Sequence, residues 1–540
     1  MEIEKVIDQM MNEEFVKYLT HEWNRPLFES DDHMLADEEK LMSIIYGMVR
    51  LQTFNFIDAF KDEANTAIKA VVKQTVIEVL SCEDDIDFGQ RFDGNLFDQL
   101  RVLEFHKWVS LLDKVFDNLL KCLKRINAVF KVMSKGLSAV SERNQNKALD
   151  LETTCGETPV DTILLESDCI ELSTNLKESL CAICDYAHNR CALVVESRAK
   201  DGGLDKLIPI EFVKLIKSIE DFSDECQQIC GRRSPNLKNV LQTQANKFAT
   251  KYHEERKKRL NSSLDIEQWK SVDKIPNDIQ NVVSLLAENR YEFDESKRSK
   301  VEGSDQKLKS FVLVNGQKFL LVQTVITLIR IIVEYCECAQ QIKSLSPDLL
   351  TRLLDILKLF NTRTSQLVLG AGALQVAGLK TITARKLINS SRCLQLVIVL
   401  IPIIRSHFES VLPPKQHSMT KHFDEIIHLY TEHILQIPQK VIGVVREITE
   451  LHLSKWVAKA PVPSPPFQEI SKHLMRLHEN IQDSLPFEDL VSLFQQIHNT
   501  VIEVLRINLQ RLQIQKDGGP QHGLDSYILL IFCLIHIIVI

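Results

Sequence analysis

The stretch VLEFHKWVSLLDKVFDNLLKCLKRINAVFKVM, residues 102–133, decides the fold class. Leu112, Val115, Leu119, Cys122, Ile126, Val129 and Met133 follow one another at alternating steps of three and four, an a/d seam over three heptads. Lys114, Asp117, Lys121, Lys124 and Lys131 occupy the opposite face. One stripe must therefore be buried while the other stays hydrated, either inside a bundle of this chain or against a helix of another chain.

The composition extends this reading to the whole chain. Glycine and proline number 17 and 16 of 540 residues, about 3 % each against usual levels of roughly 7 % and 5 %. A sheet protein needs turn residues every few positions and a long-helix protein needs few. With 44 % hydrophobic and 26 % charged residues the expectation is all-α. The balance of 65 Lys and Arg against 73 Asp and Glu, net −8, gives no chain-wide attraction to phosphate backbones, so no nucleic acid partner is expected. The 13 cysteines are odd in number and scattered, and read as reduced cytosolic thiols. Met1 to Phe15 lacks the apolar core of a secretory signal.

The predicted organisation is a helical bundle at 1–143, a polar linker at 144–159, a second bundle at 160–290, a charged linker at 291–310, a C-terminal helical region at 311–516 and a tail at 517–540. Within the first bundle, Asp37 to Leu80 reads as two helices, with Leu41, Ile44, Ile45, Met48 and Leu51 on one face and Ile68, Val71, Val72, Val76 and Leu80 on the other. The second is broken by KDGG at 200–203 and GRRSP at 231–235. Asn315-Gly316 between Phe311–Val314 and Lys318–Val322 predicts one small hairpin, because a type I′ turn needs two positive φ angles. Helical spacing then runs over Thr324–Glu337, Asp348–Phe360, Cys393–Leu412, Met419–Ile437, Val441–Val457 and Gln468–Leu485. The uncharged end YILLIFCLIHIIVI, residues 527–540, would span about 21 Å as a helix, short of the roughly 30 Å hydrocarbon core. A tail anchor, a buried element and a tail from alternative exon use or a gene-model error are the readings it admits.

Most chemical motifs fail on spacing. Cys181, Cys184, His188 and Cys191 share one helix face and could ligate zinc, but no second ligand pair is evident, and small buried residues explain them. His253-Glu254-Glu255-Arg256-Lys257 has lysine where the metalloprotease helix needs its second histidine. Gly370-Ala371-Gly372 followed by Gly378 lacks the third glycine of a dinucleotide loop at Gln375. No catalytic, cofactor-binding or metal residues are assigned and no cofactor is expected. Lys247, Lys251, Arg256, Lys257, Lys258 and Arg259 form either a contact for an anionic membrane surface or a solvated face with internal ion pairs to Glu254 and Glu255. A metal-dependent enzyme built on the cysteine and histidine cluster is the alternative from another class.

RAKDGGLDKL (198–207), ICGRRS (229–234), QANKF (244–248), IRIIVEYCEC (329–338), SQLVLGAGALQVAGLKTIT (365–383), SSRCLQL (390–396), LPPKQHSM (412–419), KAPVPS (459–464) and DGGPQHGL (517–524) together resemble the vacuolar protein sorting-associated protein fifty-four family, subunits of the Golgi-associated retrograde protein (GARP) complex. The resemblance implies a rod of the multisubunit tethering type, without catalysis. It implies capture of endosome-derived vesicles at the trans-Golgi network, on the cytosolic face as a peripheral membrane protein. The implied partners are the other three GARP subunits, syntaxin-type SNAREs and vesicle membranes. The family carries a long N-terminal half with coiled coils for sister subunits and SNAREs, and this chain is expected to begin after it. Its apolar end departs from the family's polar one, as a truncated isoform or incomplete gene model would. Gly370, Gly372, Gln375, Gly378 and Lys380 are read as a partner contact or as a close-packing loop.

Overall fold

The computed structural model describes residues 2–25, 35–81, 103–151, 166–199, 207–287, 310–314, 316–370, 383–457 and 464–511, with Gly202 and Leu204. The chain forms two compact units, Met1–Phe248 and Ala249–Ile540. Apart from one two-stranded sheet, the described elements are helices.

The first unit contains α1 (Glu2–Trp23), α2 (Glu38–Arg50), α3 (Phe56–Ser81), α4 (Phe105–Leu151), α5 (Glu166–Ala199), α6 (Pro209–Cys230) and the start of α7 (Pro235–Asp265). All seven seam residues from Leu112 to Met133 on α4 are buried, and Leu111, Phe116, Leu123 and Val132 widen the stripe beyond a two-helix seam. That width suits several neighbours at once, and α4 packs against α2, α3, α5 and α6. Phe116 stacks on Phe222 of α6 at 4.7 Å, and Asn118 donates to Thr75 of α3 at 3.0 Å. The seam is thus filled from within the chain. Gly136 lets α2 approach: a Cβ there would meet Ile45 Cγ2 at 3.1 Å and Met42 Sδ at 3.3 Å. Asp37 caps α2 by accepting from Lys40 N–H at 2.9 Å, with Glu38 and Glu39 in the first turn.

Two boundaries differ from the sequence expectation. Helix α4 continues to Leu151, past the expected start of a linker at 144, and packs with α5 and α6, so the helices flanking 144–159 share one unit. The two units divide inside α7, where Phe212 and Phe248 stack at 4.4 Å on the first unit's side. Apolar side chains on either side of that point are buried, so composition shows no break there. Residues 152–165 and 288–309 lie outside the described residues.

The second unit holds the rest of α7, α8 (Asn277–Ala287), β1 (Val312–Val314), β2 (Gln317–Phe319), α9 (Gln323–Gln341), α10 (Ser346–Val368), α11 (Ala384–Val411), α12 (His422–Ser454), α13 (Pro465–Ile481) and α14 (Phe487–Arg511). The expected hairpin is present, with Val312 opposite Phe319 and Val314 opposite Gln317, and Gly316 at φ 77°. Val312, Val314 and Phe319 are buried and Leu313 is exposed, the alternation of a half-buried strand. The two helices expected at Met419–Ile437 and Val441–Val457 are one, α12, running through Pro438. Proline removes one helical hydrogen bond, but Ile437, Val441, Ile442 and Val445 bury a continuous stripe across it. Helix α11 is 28 residues long and contains an 18-residue window of mean hydropathy 1.9, enough by length and composition to cross a membrane. It packs instead against α9, α10, α12 and α13, and it buries Asn389, Ser390, Ser391 and Arg392.

A buried carboxylate joins the elements of this unit. Glu267, in the loop after α7, accepts from Trp269 N–H at 2.7 Å, from Thr324 N–H at 2.9 Å and from the Thr324 hydroxyl at 2.7 Å. The last two lie at the N-terminus of α9, where orphan amides and the helix dipole favour an anion. The same loop holds Trp269 at a left-handed φ of 58°, and its carbonyl accepts from Asn389 of α11 at 3.0 Å. Val272 N–H donates to Leu321 at 2.9 Å, tying in the segment after the hairpin.

Replacing Glu267 by alanine is expected to cost about 3 kcal/mol, because two buried amides and a hydroxyl lose a charged acceptor. Glu267→Gln should cost less. Amide exchange at Trp269 and Thr324 reads this, and unchanged protection in Glu267→Ala would remove the assigned role.

Candidate functional site

The basic run lies on α7, and the structure divides it by charge pairing. Arg256 Nε meets Glu334 Oε2 at 2.8 Å, its guanidinium covers the Tyr252 ring at 3.1 Å, and Arg259 reaches Glu334 Oε1 at 2.7 Å. Lys257 Nζ lies 3.2 Å from Asp355 Oδ2. These three cations fasten α7 to α9 and α10, through acidic residues far away in sequence rather than Glu254 and Glu255. Lys247, Lys251 and Lys258 are exposed or half-buried. Lys251 and Lys258, seven residues apart, lie on one stripe of the helix within the second unit, and Lys247 belongs to the first.

His253 sits in a relay that resembles a catalytic arrangement in its distances. Its Nδ1 is 2.8 Å from the Tyr335 hydroxyl and its Nε2 3.1 Å from Asp355 Oδ2. A nucleophile needs an open path to substrate, and Tyr335 is fully buried. Burial raises the Tyr335 phenol above its ordinary range and lowers the His253 imidazole, against the pull of Asp355. The relay therefore ties α7, α9 and α10 together rather than activating an oxygen.

Cys181, Cys184, His188 and Cys191 are all buried on α5. His188 packs 5.2 Å from Phe222, and burial lowers its pKa to about 4. Among the described residues no group of three or more histidine, cysteine or acidic side chains is arranged to hold a metal. Sequence reasoning missed Cys226 and Cys230 on α6, which meet this face; the available signal was a C-x₂-C spacing followed by C-x₃-C some forty residues later. Of the glycine-rich loop, Gly370 is exposed just after α10, whereas Gly372, Gln375, Gly378 and Lys380 lie outside the described residues. So does the apolar end at 527–540.

The second unit also presents a half-open apolar groove of about 200 Å³ between α11, α12 and α13, lined by Leu387, Val441, Val444, Ile470, Leu474 and Leu477 among others. Its lining belongs to three helices, so no single segment of sequence announces it. Beneath it lies the core of α12, α13 and α14, where Trp456 meets Phe467 edge-on at 5.0 Å.

Among the described residues, His253, Arg256, Lys257 and Arg259 are engaged in ties between helices, and the groove between α11, α12 and α13 is mostly apolar. This is the architecture of an all-α protein of long packed helices. A family model described as "Vps54-like protein" matches residues 316–447, from the hairpin turn into α12. The chain is 36 % identical over 607 aligned residues to vacuolar protein sorting-associated protein 54 of Homo sapiens, covering 97 % of this chain and 61 % of that protein. It is 33 % identical to the Drosophila melanogaster protein of the same name, covering 97 % and 53 %. A solved "Vps54 C-terminal domain" is 38 % identical, over 22 % of this chain and 85 % of that one, at a TM-score of 0.19 that does not bear on the fold. The chain belongs to the Vps54 family. It spans about three fifths of the length of the human relative.

Buried histidines give the fold an acid sensitivity. His433 Nδ1 is paired with Asn361 Oδ1 at 3.0 Å while its Nε2 has no partner, and burial lowers its pKa to about 4. The unfolded chain takes up this proton near pH 6.5 and the native state does not, so stability falls as pH drops from about 6.5 toward 4. His433 should account for up to about 3 kcal/mol of the fall. Urea unfolding at pH 7.5 and 5 should show a smaller difference in His433→Gln; an equal difference would exclude the residue as the source.

Proposed function

We propose that the chain is a non-catalytic subunit of the GARP vesicle-tethering complex. It acts in retrograde transport from endosomes to the trans-Golgi network, as a peripheral protein on the cytosolic face, and promotes SNARE-dependent fusion. The observation that carries this reading is sequence identity of 36 % sustained over 97 % of the chain with a relative named for vacuolar protein sorting. The fold supports it. Tethering asks for surfaces that several partners can occupy, and long helices offer such faces without needing a dry catalytic cleft.

The partners on this reading are the other three GARP subunits, syntaxin-type SNAREs and endosome-derived vesicles. Gly370, Gly372, Gln375, Gly378 and Lys380 are on this reading a partner contact, the other reading being a loop whose small residues allow close helix packing. An affinity pull-down of the tagged chain from cells, followed by mass spectrometry, should recover the three sister subunits. A clean preparation lacking all of them would overturn assembly by this chain.

Membrane contact is electrostatic on this reading, through the basic face of α7. Because Arg256, Lys257 and Arg259 already face carboxylates, Lys247, Lys251 and Lys258 carry most of it. Each lysine near an acidic lipid surface contributes about 1 kcal/mol. Reversing all three to glutamate should reduce sedimentation with phosphatidylserine-containing vesicles at least tenfold, and the wild-type binding should weaken with salt. Equal binding by the triple variant would exclude this face.

A further inference from the structure

The groove between α11, α12 and α13 has walls that repeat at helical spacing. Val441, Val444 and Ile448 line it from α12, and Ile470, Leu474 and Leu477 line it from α13. Steps of three and four residues hold each set on one face of its helix. Val441, Ile470 and Leu474 are buried, whereas Val444 is 42 % exposed and Ile448 and Leu477 are half-buried. Leu451, seven residues after Val444 on the same stripe of α12, is 57 % exposed. The stripe is therefore covered on its inner edge and left open on its outer one. From Val441 to Leu451 it runs about 15 Å, or about three turns of a helix.

The ionisable groups lining the groove have one sign. Among the described residues these are His473 and Arg476, and no carboxylate lines it. Arg476 is exposed and has no carboxylate partner among the described residues. The His473 ring lies 5.9 Å from that of His452 on α12, so basic groups stand at both walls. Glu469, one turn before His473, is taken by Lys472 at 2.7 Å. Glu447 and Glu450 of α12 and Glu479 of α13 do not line the groove. A matching occupant brings apolar side chains at helical spacing with carboxylates beside them. An extended peptide would bring backbone groups that no sheet edge here can receive, whereas a helix satisfies its own backbone and carries the same repeat as the walls.

We propose that this groove is a docking site for an amphipathic helix of another protein, with apolar residues at a and d spacing and Asp or Glu at the flanking positions. Its apolar side chains pack between Val444 and Ile448 on one wall and Leu474 and Leu477 on the other, and its carboxylates face Arg476 and His473. Helices α11, α12 and α13 already pack on one another, and the incoming helix adds a fourth member by the same kind of contact. The open edge of the α12 stripe becomes the dry centre of the interface and Arg476 part of its charged rim. The site stands whether or not the chain assembles with the GARP subunits, because its features belong to α11, α12 and α13 alone.

The probe is a fluorescein-labelled peptide of three heptads, with leucine at a and d and glutamate at e and g, titrated against the purified full-length chain by fluorescence anisotropy. Saturable binding is expected, weakened about tenfold when lysines replace the glutamates. Val444→Glu should abolish it, and Arg476→Glu should reverse the preference in favour of the lysine peptide. Both positions are exposed, and circular dichroism establishes that the variants are folded. Hydrogen exchange in the wild-type complex should show protection centred on residues 441–451 and 470–480. No saturable binding, equal binding of the two peptides, or wild-type affinity in both variants would overturn the proposal. So would a groove with another occupant. A Val444→Cys thiol that resists maleimide in the chain alone would assign it to a segment of this chain, and a dimer that Val444→Glu converts to monomer in sedimentation velocity would assign it to a second copy. Protection of the same residues by phosphatidylserine vesicles and not by the peptide would assign it to lipid.

Discussion

The burial of an apolar stripe on every long helix is the constraint from which the rest of this structure follows. Helix α4 has an apolar face too wide for one partner, with Leu111, Phe116, Leu123 and Val132 buried beside the heptad seam. It must have neighbours on several sides, and α2, α3, α5 and α6 supply them. Helix α11 is the same argument carried further: its apolar window would suit a membrane by composition and must be covered by a surrounding shell of helices. That shell is α9, α10, α12 and α13. Its buried Asn389 and Arg392 then find partners at the Trp269 and Lys318 carbonyls.

Apolar burial is weakly directional, and polar contacts select one arrangement from those it permits. In the second unit Glu267, Asn389, Arg392, Asn361 and the His253 relay each join segments distant in sequence. Arg392 also lies over the Phe319 ring at 4.2 Å while donating to Lys318, fixing the hairpin on α11. Such groups are costly to bury unpaired, so their partners restrict helix register. The cations of α7 serve the same end, Arg256, Lys257 and Arg259 joining it to α9 and α10.

Much of the architecture was legible. The seam at 112–133, the two helices within 37–80, the helix stop at GRRSP and the Asn-Gly hairpin all depend on neighbouring residues, and all appear. The continuity of α12 through Pro438 was not legible, because local chemistry reads proline as a stop and burial on both sides outweighs it. The candidate sites were half legible. The six basic residues were visible as a run, but their division into structural and accessible groups required Glu334 and Asp355 from other helices. Likewise the Cys181 and Cys184 face was visible, while its counterpart on α6 lay more than forty residues away.

The sequence by itself determined the all-α class, most helix limits, the hairpin and the family, since these rest on periodicity, turn chemistry and the order of side chains along the chain. Tertiary structure alone decided that α4 turns its seam to helices of its own chain and that α11 is a core helix. It also decided which basic side chains are occupied, that three helices leave an apolar groove, and that Cys181 meets the Cys230 carbonyl at the end of α6. The physical reason is range: helix propensity acts within a few residues, whereas burial, charge pairing and thiol proximity depend on groups that only folding brings within a few ångströms of one another.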